Sequence, residues 1–596
     1  AHVARVSVRS PMSVSNGRKR ILLLSWANWG LIHSVAANHN SLLLDQSSGE
    51  SETCSSTPSV HLECGVYMAP STLGKDSNLG IFTAKPLQQG EVINFPEIVI
   101  PLAFREWGVN PPSANGDGEL WDRYLWTGDT ADIESFDTYD RTQQKSVFVP
   151  GVGCTVNSAL DLHNIESTVG SDYDTVVERS HPAAGSFSPY HASQTKTIRS
   201  IPAGAELLAD YGESWIPWIP DIPVWQNQYL DSANEFMEEF LSWKEDMRVK
   251  HGENAVSEEL LERMYQMTRT FPHGSKTFSV LPPSLHHWNS IMETRDYWRS
   301  QHQVSIEWLQ ENGKCQDHLR PGRSTIPHAG RGAFATRFLP KGSVVGYAPL
   351  IHVAYAFDSM TKVRSNDDTT HPDLIWNYSF SHRNSTLVLT PYGSMVNYIN
   401  HAVRPNVRIQ WPTKELVAHK PHWLEQDLDY IRYSTTNVGL SFDYVALRDI
   451  EEGEEVFLDY GMEWQQAWEE HVNNWQPPTD ASDYIHSSRY NSTVLKTPSE
   501  RHDDPYPSNL VTICAESYRR QGDKYVFVPV LRDWKIYVPC EVLSRNHAHR
   551  YTIRLDLTEP VTVYNVPFPD GVRLVDRAYS QDWHLSNAFR HKIMIP

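Results

Sequence analysis

A repeated segment constrains the fold of this chain more than any other feature of its sequence. Arg199–Trp215 and Arg448–Trp464 are identical at eight of 17 positions, and both contain Asp-Tyr-Gly. A second matching pair lies upstream, where Leu79–Ala84 corresponds to Arg331–Thr336 and each is followed by Gly-x-Val. In both pairs the members lie roughly 250 residues apart. Two anchors at one spacing predict that the chain contains two copies of one domain.

Each copy consists of short β-branched and aromatic runs between Gly and Pro residues, a pattern that predicts strands. Residues between the copies have apolar side chains at helical spacing, so we expect helices that pack on the first copy; the longest such run contains Phe236, Met237, Phe240, Leu241 and Trp243. The predicted fold class is α+β and rich in strands. The predicted boundaries are 1–65 (leader), 66–218 (first copy), 219–315 (helical connector), 316–475 (second copy), 476–508 (linker) and 509–596 (small β-rich domain).

The last part of the chain contains five runs that are typical of short strands, the first at Val511–Ile513 and the last at Val561–Tyr564. A small barrel would leave no exposed sheet edges, so we expect the five strands to close. This domain could bind a peptide or cap the second copy, and the sequence leaves both roles open.

The composition excludes several functional classes. With 52 basic and 72 acidic residues the formal net charge is −20, so direct binding to nucleic acid is not expected. An acidic surface favours basic partners, such as lysine-rich protein segments. No apolar run reaches the roughly 20 residues that a membrane-spanning helix needs.

The six cysteines are scattered and include no CxxC pair. This spacing argues against a zinc ribbon and against a small secreted scaffold dense in disulfides. No metal-binding residues are therefore assigned.

The N-terminal leader has two interpretations. Arg18, Lys19 and Arg20 precede the apolar run Ile21–Leu24, which would form a secretory signal if translation began at Met12. The alternative is a disordered leader with a chance apolar patch. Glycosylation sequons at Asn377, Asn384 and Asn491 are compatible with either interpretation.

Three clusters of residues that could bind a ligand or take part in catalysis follow one another in the second copy. They are Ala329–Phe334 (AGRGAF), Val396–Val407 (VNYINHAVRPNV) and Glu451–Gly461 (EEGEEVFLDYG). In this order the clusters resemble those of the SET-domain protein lysine methyltransferases. The resemblance covers about 325–465 well and about 74–215 in part.

The resemblance implies that S-adenosyl-L-methionine is the cofactor and that the second cluster is tucked beneath the strand leading to the third. Glycines 330 and 332 would let the backbone approach the cofactor closely. An amide side chain offers a donor and an acceptor, and an imidazole can bond an adenine edge. The alternative is that Asn-His only holds a turn before Pro405. The implied cofactor-binding residues are Gly330, Arg331, Gly332, Asn400, His401 and Tyr460.

Tyr460 is the predicted catalytic residue. Methyl transfer to an amine is an in-line displacement that depends on alignment more than on acid–base power. A phenol stays neutral at pH 7 and can orient the amine lone pair. Tyr378 and Tyr392 are candidates for a second hydroxyl in the pocket, with aromatic packing as the alternative. Leu458 stands where the family often has an aromatic residue, which leaves the number of methyl groups open.

The chain departs from the family in its tail, because no cysteine cluster follows Gly461. The zinc-binding tail of many histone-directed members is therefore missing from this pattern. We expect the tryptophan-bearing segment that follows, with Trp464, Trp468 and Trp475, to close the pocket instead.

The first copy keeps Gly80 and Tyr211 but differs between them. Aligning its segment Val156–Ser167 at the first Val-Asn of the second copy puts Leu160 and Asp161 in place of the Asn-His pair. A shifted alignment would use His163 and Asn164 instead, in reversed order. We expect this copy to be impaired or structural.

These observations predict that the second copy transfers a methyl group from S-adenosyl-L-methionine to a protein lysine, histone or otherwise. The alternative is a non-catalytic scaffold whose SET folds bind basic peptides. The nucleus or cytoplasm is the expected compartment, with the secretory route as the alternative.

Overall fold

The computed structural model describes residues 63–595 apart from several intervals. These intervals are 74–77, 103–123, 128–145, 159–161, 171–176, 212–226, 253–256, 270–280, 282–283, 288–298, 354–361, 365–369, 382–387, 427–437, 492–493, 529–536, 578–581 and 583–584. The predictions for the leader, for Leu160 and for Asp161 therefore lie outside the described residues. The fold is mixed α/β, with more strand than helix and several curled sheets, which confirms the predicted class. Within the described part of the chain, every helix is too short or too polar to span a bilayer.

The first strand-rich region pairs mainly antiparallel. Its strand β2 is fully buried because both faces of this short apolar run meet other elements. The elements are Val66–Pro70 (β1), Leu79–Thr83 (β2), Ile100–Leu102 (β3), Leu125–Thr127 (β4), Ser146–Phe148 (β5), Val152–Thr155 (α1), Asn157–Ser158 (β6), Ile165–Gly170 (β7), Ala192–Thr197 (β8) and Glu206–Ala209 (β9).

Helices follow, as the apolar spacing predicts. Met237 and Phe240 pack in one cluster with Leu162 and Leu208 of the first region, so the helices cover the preceding domain. Leu241 lies outside this core and is exposed. The elements are Asn227–His251 (α2), Glu258–Arg269 (α3), the 3₁₀ turn Leu285–His287, Ile306–Asn312 (α4) and Lys314–Cys315 (β10), which pairs with β1.

The second strand-rich region holds the three clusters. Its elements are Leu319–Arg323 (β11), Arg331–Ala335 (β12), Val344–Val353 (β13), Lys362–Arg364 (β14), Thr370–Pro372 (β15), Phe380–Ser381 (β16), Val388–Pro391 (β17), Asn400–His401 (β18), Val407–Gln410 (β19), Ser441–Ala446 (β20), Glu455–Leu458 (β21) and Met462–Asn474 (α5), with 3₁₀ turns at Leu374–Tyr378, Val396–Tyr398 and Pro421–Glu425.

One strand arrangement occurs in both regions. The order β1-β2-β9-β6 in the first region matches β11-β12-β21-β18 in the second. In each case the last pair is parallel: Asn157 lies opposite Leu208, and Asn400 lies opposite Phe457. The two regions thus share one strand topology over these four strands.

The C-terminal region forms one seven-stranded sheet in the order β23-β24-β27-β26-β25-β22-β28, two strands more than expected. In the described residues β23 and β28 are its edges, so the strands do not close as predicted. The elements are Ser488–Asn491 (α6), Pro498–Asp503 (α7), Leu510–Ala515 (β22), Tyr518–Gln521 (β23), Lys524–Phe527 (β24), Tyr537–Arg545 (β25), Tyr551–Leu555 (β26), Val561–Val566 (β27) and Val572–Asp576 (β28). The last strand, Ile593–Met594 (β29), leaves this sheet and pairs in parallel with β16 of the second region.

The cysteines form two disulfides, although their spacing contains no paired motif. Cys64 is bonded to Cys315 and joins the start of β1 to β10, and Cys514 is bonded to Cys540 within the C-terminal sheet. Cys154 is a buried free thiol. Partners 251 residues apart in sequence meet only because the connector returns to β1.

Two of the three sequons serve internal hydrogen bonds. The Asn377 amide donates to the carbonyls of Ser186 and Phe589, and its oxygen accepts from the His591 amide. Asn491 bonds both backbone groups of Leu574. These two asparagines hold neighbouring segments together, while Asn384 lies outside the described residues.

Candidate functional site

Strands β18 and β21 bring the second and third clusters into contact. Ile399 and His401 flank Asn400 on one segment, and Tyr460 follows the other strand. The Tyr460 hydroxyl donates to the Ile399 carbonyl at 2.5 Å, and its backbone N–H donates to His401 Nδ1 at 3.0 Å. The juxtaposition expected from the resemblance is therefore present in the structure.

The Tyr460 side chain is a buried, neutral phenol. Burial raises its pKa above the usual range, and nearby Tyr378 raises it further. Since the hydroxyl proton is committed to a carbonyl, the oxygen's remaining lone pairs are what it can offer a ligand. Trp464 lies edge-on to the ring, with centroids 4.9 Å apart, and restricts its orientation.

His401 presents an uncharged donor. Its Nδ1 accepts the Tyr460 amide, so in the neutral ring Nε2 carries the hydrogen. Burial lowers the pKa of the ring despite the opposing effects of the Asp459 charge and of the Leu458 backbone. Nε2 is itself buried and has no hydrogen-bond partner among the described residues. A buried donor without a partner is costly and needs an explanation, and a ligand acceptor would supply one.

The Asn400 side chain makes more hydrogen bonds within the protein than its sequence pattern indicates. Its Nδ2 group donates to Ser324 Oγ at 3.2 Å, to the Arg331 carbonyl at 3.0 Å and to Glu455 Oε1 at 3.3 Å. The donor side of the amide is thus used inside the protein. Only its oxygen is left for a ligand.

Glu455 is the centre of this hydrogen-bond network, and the sequence analysis missed it. Its side chain is 3% exposed, and its two oxygens accept from Ser324 Oγ at 2.7 Å and from the Thr325 amide at 2.6 Å. We call Ser324, Thr325, Asn400 and Glu455 the brace. In the sequence, Ser324 and Thr325 stand just before the glycine cluster, but no local pattern predicts that they bond to this glutamate.

The glycine cluster contributes mainly backbone. A side chain on Gly332 would collide with the Glu455 carboxylate, so the brace requires glycine there. Arg331 reaches the brace through its carbonyl oxygen. Gly330 has a left-handed backbone, with φ of 71°, and its α-carbon faces the ring of Phe187.

An aromatic cover lies over His401 and Tyr460. Trp464 of α5 is 5.1 Å from the His401 ring and stacks on Trp468 at 6.1 Å. Phe589, which the sequence analysis did not select, lies edge-on to both tryptophans at 5.5 and 5.1 Å. The helix thus lies where it was expected, and the end of the chain adds to the cover.

That chain end also binds the site through its backbone. The Met594 amide donates to the Tyr460 carbonyl at 3.1 Å. Trp475, by contrast, follows the last residue of α5. Its ring N–H donates to the Ser180 carbonyl.

The other tyrosines separate into two groups. Tyr378 is buried near Tyr460 and its hydroxyl accepts the Ser188 amide at 2.9 Å. Tyr392 instead faces Tyr124 of the first region, with their hydroxyls 3.5 Å apart. Tyr444, missed by sequence analysis, is buried within electrostatic range of Tyr460, and its hydroxyl has no hydrogen-bond partner among the described residues.

The first region contains a second brace. Asn157 Nδ2 donates to Ser71 Oγ at 3.1 Å, to the Leu79 carbonyl at 2.8 Å and to Glu206 Oε1 at 3.1 Å. Thr72 bonds Glu206 as Thr325 bonds Glu455. We call Ser71, Thr72, Asn157 and Glu206 the first-copy brace.

The predicted alignment of the first copy is wrong. Asn157 occupies the position of Asn400. The second copy contains two Val/Ile-Asn steps, and the alignment used the first where the strand pairing uses the second. Ser158 stands in the place of His401, since its hydroxyl accepts the Tyr211 amide at 3.2 Å.

One comparison with protein families agrees with the resemblance. Residues 330–461 match the family model of the SET domain. Similar solved structures include a putative histone methyltransferase of Plasmodium falciparum (19% identity over 25% of this chain and 98% of that one, TM-score 0.17). A second is the Chaetomium thermophilum polycomb repressive complex 2, with 20% identity over 28% of this chain and 18% of that one and a TM-score of 0.19. A third is an autoinhibited ctPRC2 bound to S-adenosylmethionine, with 17% identity over 28% of this chain and 17% of that one and a TM-score of 0.17. The chain thus spans less than a fifth of these two polycomb chains. No curated protein matches.

Proposed function

Residues 330–461 of this chain form a SET domain, and from that premise we propose that this part transfers a methyl group to a lysine side chain of a protein. One observation carries the proposal. The unpartnered His401 Nε2 donor and the buried Tyr460 hydroxyl lie on adjoining segments, under one aromatic cover. The first copy has Ser158 where this donor stands.

The residues present fit S-adenosyl-L-methionine as the cofactor. The uncharged donor of His401 would meet a ring acceptor, and the Asn400 oxygen would accept from the cofactor's ammonium group. The backbone of Gly330, Arg331 and Gly332 would line its amino-acid end. When bound, this cofactor supplies an electrophilic methyl group on a sulfonium sulfur.

Tyr460 would align the incoming amine. Its proton is held by the Ile399 carbonyl, so a lone pair of the phenol oxygen can accept an N–H of the substrate amine. That contact orients the nitrogen lone pair along the line of attack. Because burial keeps the phenol neutral, it adds no anion that would raise the pKa of a lysine, and the amine loses its proton more readily.

A lysine-bearing segment suits the surroundings of the site. Asp459 is 59% exposed and adjoins His401, and Glu463 follows on the first turn of α5. Together with the net charge of −20, these carboxylates favour a basic segment over an acidic one. Histone and non-histone proteins both provide such segments.

We further propose that the first copy is a degenerate SET fold without methyl transfer. It repeats the strand order and the brace of the second copy. It lacks the imidazole donor, since Ser158 fills that position, and Leu79 replaces Arg331.

The two disulfides bear on the compartment. Disulfides persist in oxidising compartments and are rare in the nucleus and cytosol. Cys64–Cys315 and Cys514–Cys540 therefore support the secretory alternative over the nucleus or cytoplasm. Mass spectrometry of the protein alkylated without reduction, from its native source, should find both pairs linked; free thiols at all four positions would refute this proposal.

Calorimetry with S-adenosylhomocysteine tests the enzymatic proposal. The wild-type chain should bind one molecule, and His401→Ala should weaken binding about tenfold because one buried hydrogen bond is lost. Ser158→Ala is the matched control and should leave affinity unchanged. If the wild-type chain binds none, the enzymatic proposal fails and the peptide-binding scaffold remains.

A further inference from the structure

A segment of the first copy lies against the site of the second. It spans residues 178–191, between β7 and β8, and we call it the crossing segment. Its Ser188 amide donates to the Tyr378 hydroxyl at 2.9 Å, and its Gly185 carbonyl accepts from Arg590 at 2.6 Å. It therefore contacts both a tyrosine beside Tyr460 and the chain end that covers the site.

Phe187 of the crossing segment packs on the glycine cluster. The ring lies so close to Gly330 that a side-chain carbon there would be 2.7 Å from the ring edge. Gly330 has a left-handed backbone, with φ of 71°. The ring thus closes one side of a turn that only glycine adopts without strain.

A second contact holds the same turn. His328 is left-handed too, with φ of 62°, although it is not a glycine and pays a steric cost for this conformation. The ring of His181 stacks on it, with centroids 3.9 Å apart and planes 19° from parallel. Burial lowers the pKa of His181, a charge on His328 would lower it further, and the carboxylate of Glu178 opposes both effects.

The turn that these rings hold leads directly into the site. Residues 324–331 deliver Ser324 and Thr325 to Glu455 and bring the Arg331 carbonyl to Asn400. A strained turn persists only where its surroundings over-determine it. Here the surroundings are supplied by the other copy.

We infer that His181 and Phe187 are positioning residues through which the first copy sets the cofactor affinity of the second. The inference rests on the proposed function only for the identity of the ligand. In this role the copy without the imidazole donor supplies a wall for the site that has the donor.

Substitution of Phe187 tests this role. Phe187→Ala should weaken S-adenosylhomocysteine binding about tenfold, because the turn loses its cover, and Phe187→Leu should recover most of the affinity. Phe236→Ala is the matched control, since Phe236 is also a partly buried aromatic residue but packs on the helical cluster. It should lower stability without changing affinity. Unchanged affinity in Phe187→Ala would overturn the inference.

Hydrogen exchange separates this inference from the proposed function. Without any ligand, the amides of residues 326–332 should exchange faster in Phe187→Ala than in the wild-type chain and in Phe236→Ala. If the wild-type chain binds no S-adenosylhomocysteine, the proposed function fails and the exchange result alone decides the positioning role. Equal exchange in all three proteins would refute it.

If Phe187→Ala misfolds, substitutions at Gly330 provide a second test of the same contact. Gly330→Ala places a methyl group against the Phe187 ring, and the double variant with Phe187→Leu removes part of that collision. Faster exchange in Gly330→Ala that is partly reversed in the double variant supports the contact. Additive effects of the two substitutions contradict it.

Discussion

The two copies hold their strands together with the same side chains but differ at the position that would meet a ligand. Asn157 and Asn400 each donate to a serine, a backbone carbonyl and a glutamate. The network thus holds the strands together whether or not an imidazole follows the asparagine. The difference that remains is His401 against Ser158.

The tyrosine of the Asp-Tyr-Gly motif has the same surroundings in both copies. Tyr211 and Tyr460 both donate to the carbonyl before the asparagine. Both also meet a tryptophan edge-on, Trp126 at 5.2 Å and Trp464 at 4.9 Å. The phenol geometry therefore does not distinguish the two copies, whereas the neighbouring donor does: it is His401 in the second and Ser158 in the first.

The largest expected contrast is catalytic. Tyr460→Phe should lower methyl transfer at least about 100-fold, because the oxygen that aligns the amine is removed. Tyr211→Phe, its counterpart, should leave transfer unchanged. Radiolabelled S-adenosyl-L-methionine with a mixed protein lysate, followed by mass spectrometry of methyl-lysine, measures both; equal losses would show that the first copy also catalyses.

The brace should matter equally to both copies. Glu455→Ala leaves a buried amide, hydroxyls and a backbone N–H without their acceptor and should lower the free energy of unfolding by about 3 kcal/mol. Glu206→Ala should cost a similar amount. Urea unfolding monitored by tryptophan fluorescence measures this. A large loss for Glu455 alone would indicate that the brace is specific to the functional site.

Acid should destabilise the second copy through His318. Burial lowers the pKa of this histidine to about 4, whereas the unfolded chain has a value near 6.5. The unfolded state therefore binds the proton first, and stability falls as pH drops below 6.5. Between pH 7.5 and 5 this one group should cost about 2 kcal/mol.

His318→Gln should flatten that part of the pH profile, measured by urea unfolding at each pH. His302, which contacts Thr72 of the first-copy brace, has its pKa lowered to about 4 by burial as well. His302→Gln should likewise reduce the fall in the free energy of unfolding between pH 7.5 and 5. A profile that neither substitution changes would exclude both histidines as the acid-sensitive groups.

The smallest contrast concerns the glycines under the braces. Gly332→Ala and Gly80→Ala each push a methyl group into a buried glutamate and should cost about 1–2 kcal/mol. Thermal unfolding measures the loss. If Gly332→Ala changes cofactor affinity without any loss of stability, the glycine serves the ligand directly, as the sequence pattern first indicated.

Sequence patterns were most reliable where the evidence is local or repeated. The paired anchors predicted two strand-rich regions, and apolar spacing predicted helices α2 and α3 and their packing. The resemblance carried by the Asn-His and Asp-Tyr-Gly clusters implied a contact between β18 and the end of β21.

The errors arose where a sequence offers two equivalent choices or no local signal. The first copy was aligned on the wrong Val-Asn step, and strand pairing selected Asn157. Two C-terminal strands were missed: the short charged strand β23, which has little hydrophobic pattern, and β28, whose alternating apolar residues were overlooked. The disulfides lack any spacing rule, since Cys64 and Cys315 are brought together by the connector.

The sequence by itself determined the strand-rich class and indicated the repeat and the imidazole and phenol of the candidate site, because these depend on residue types and on spacing along the chain. Only the tertiary structure decided that Glu455 ties Asn400 down, that Phe187 of one copy covers Gly330 of the other, and that the chain end returns over Tyr460. Each of these contacts joins residues more than about 50 positions apart, and at that range the partner is selected by the packing of whole elements rather than by neighbouring residues.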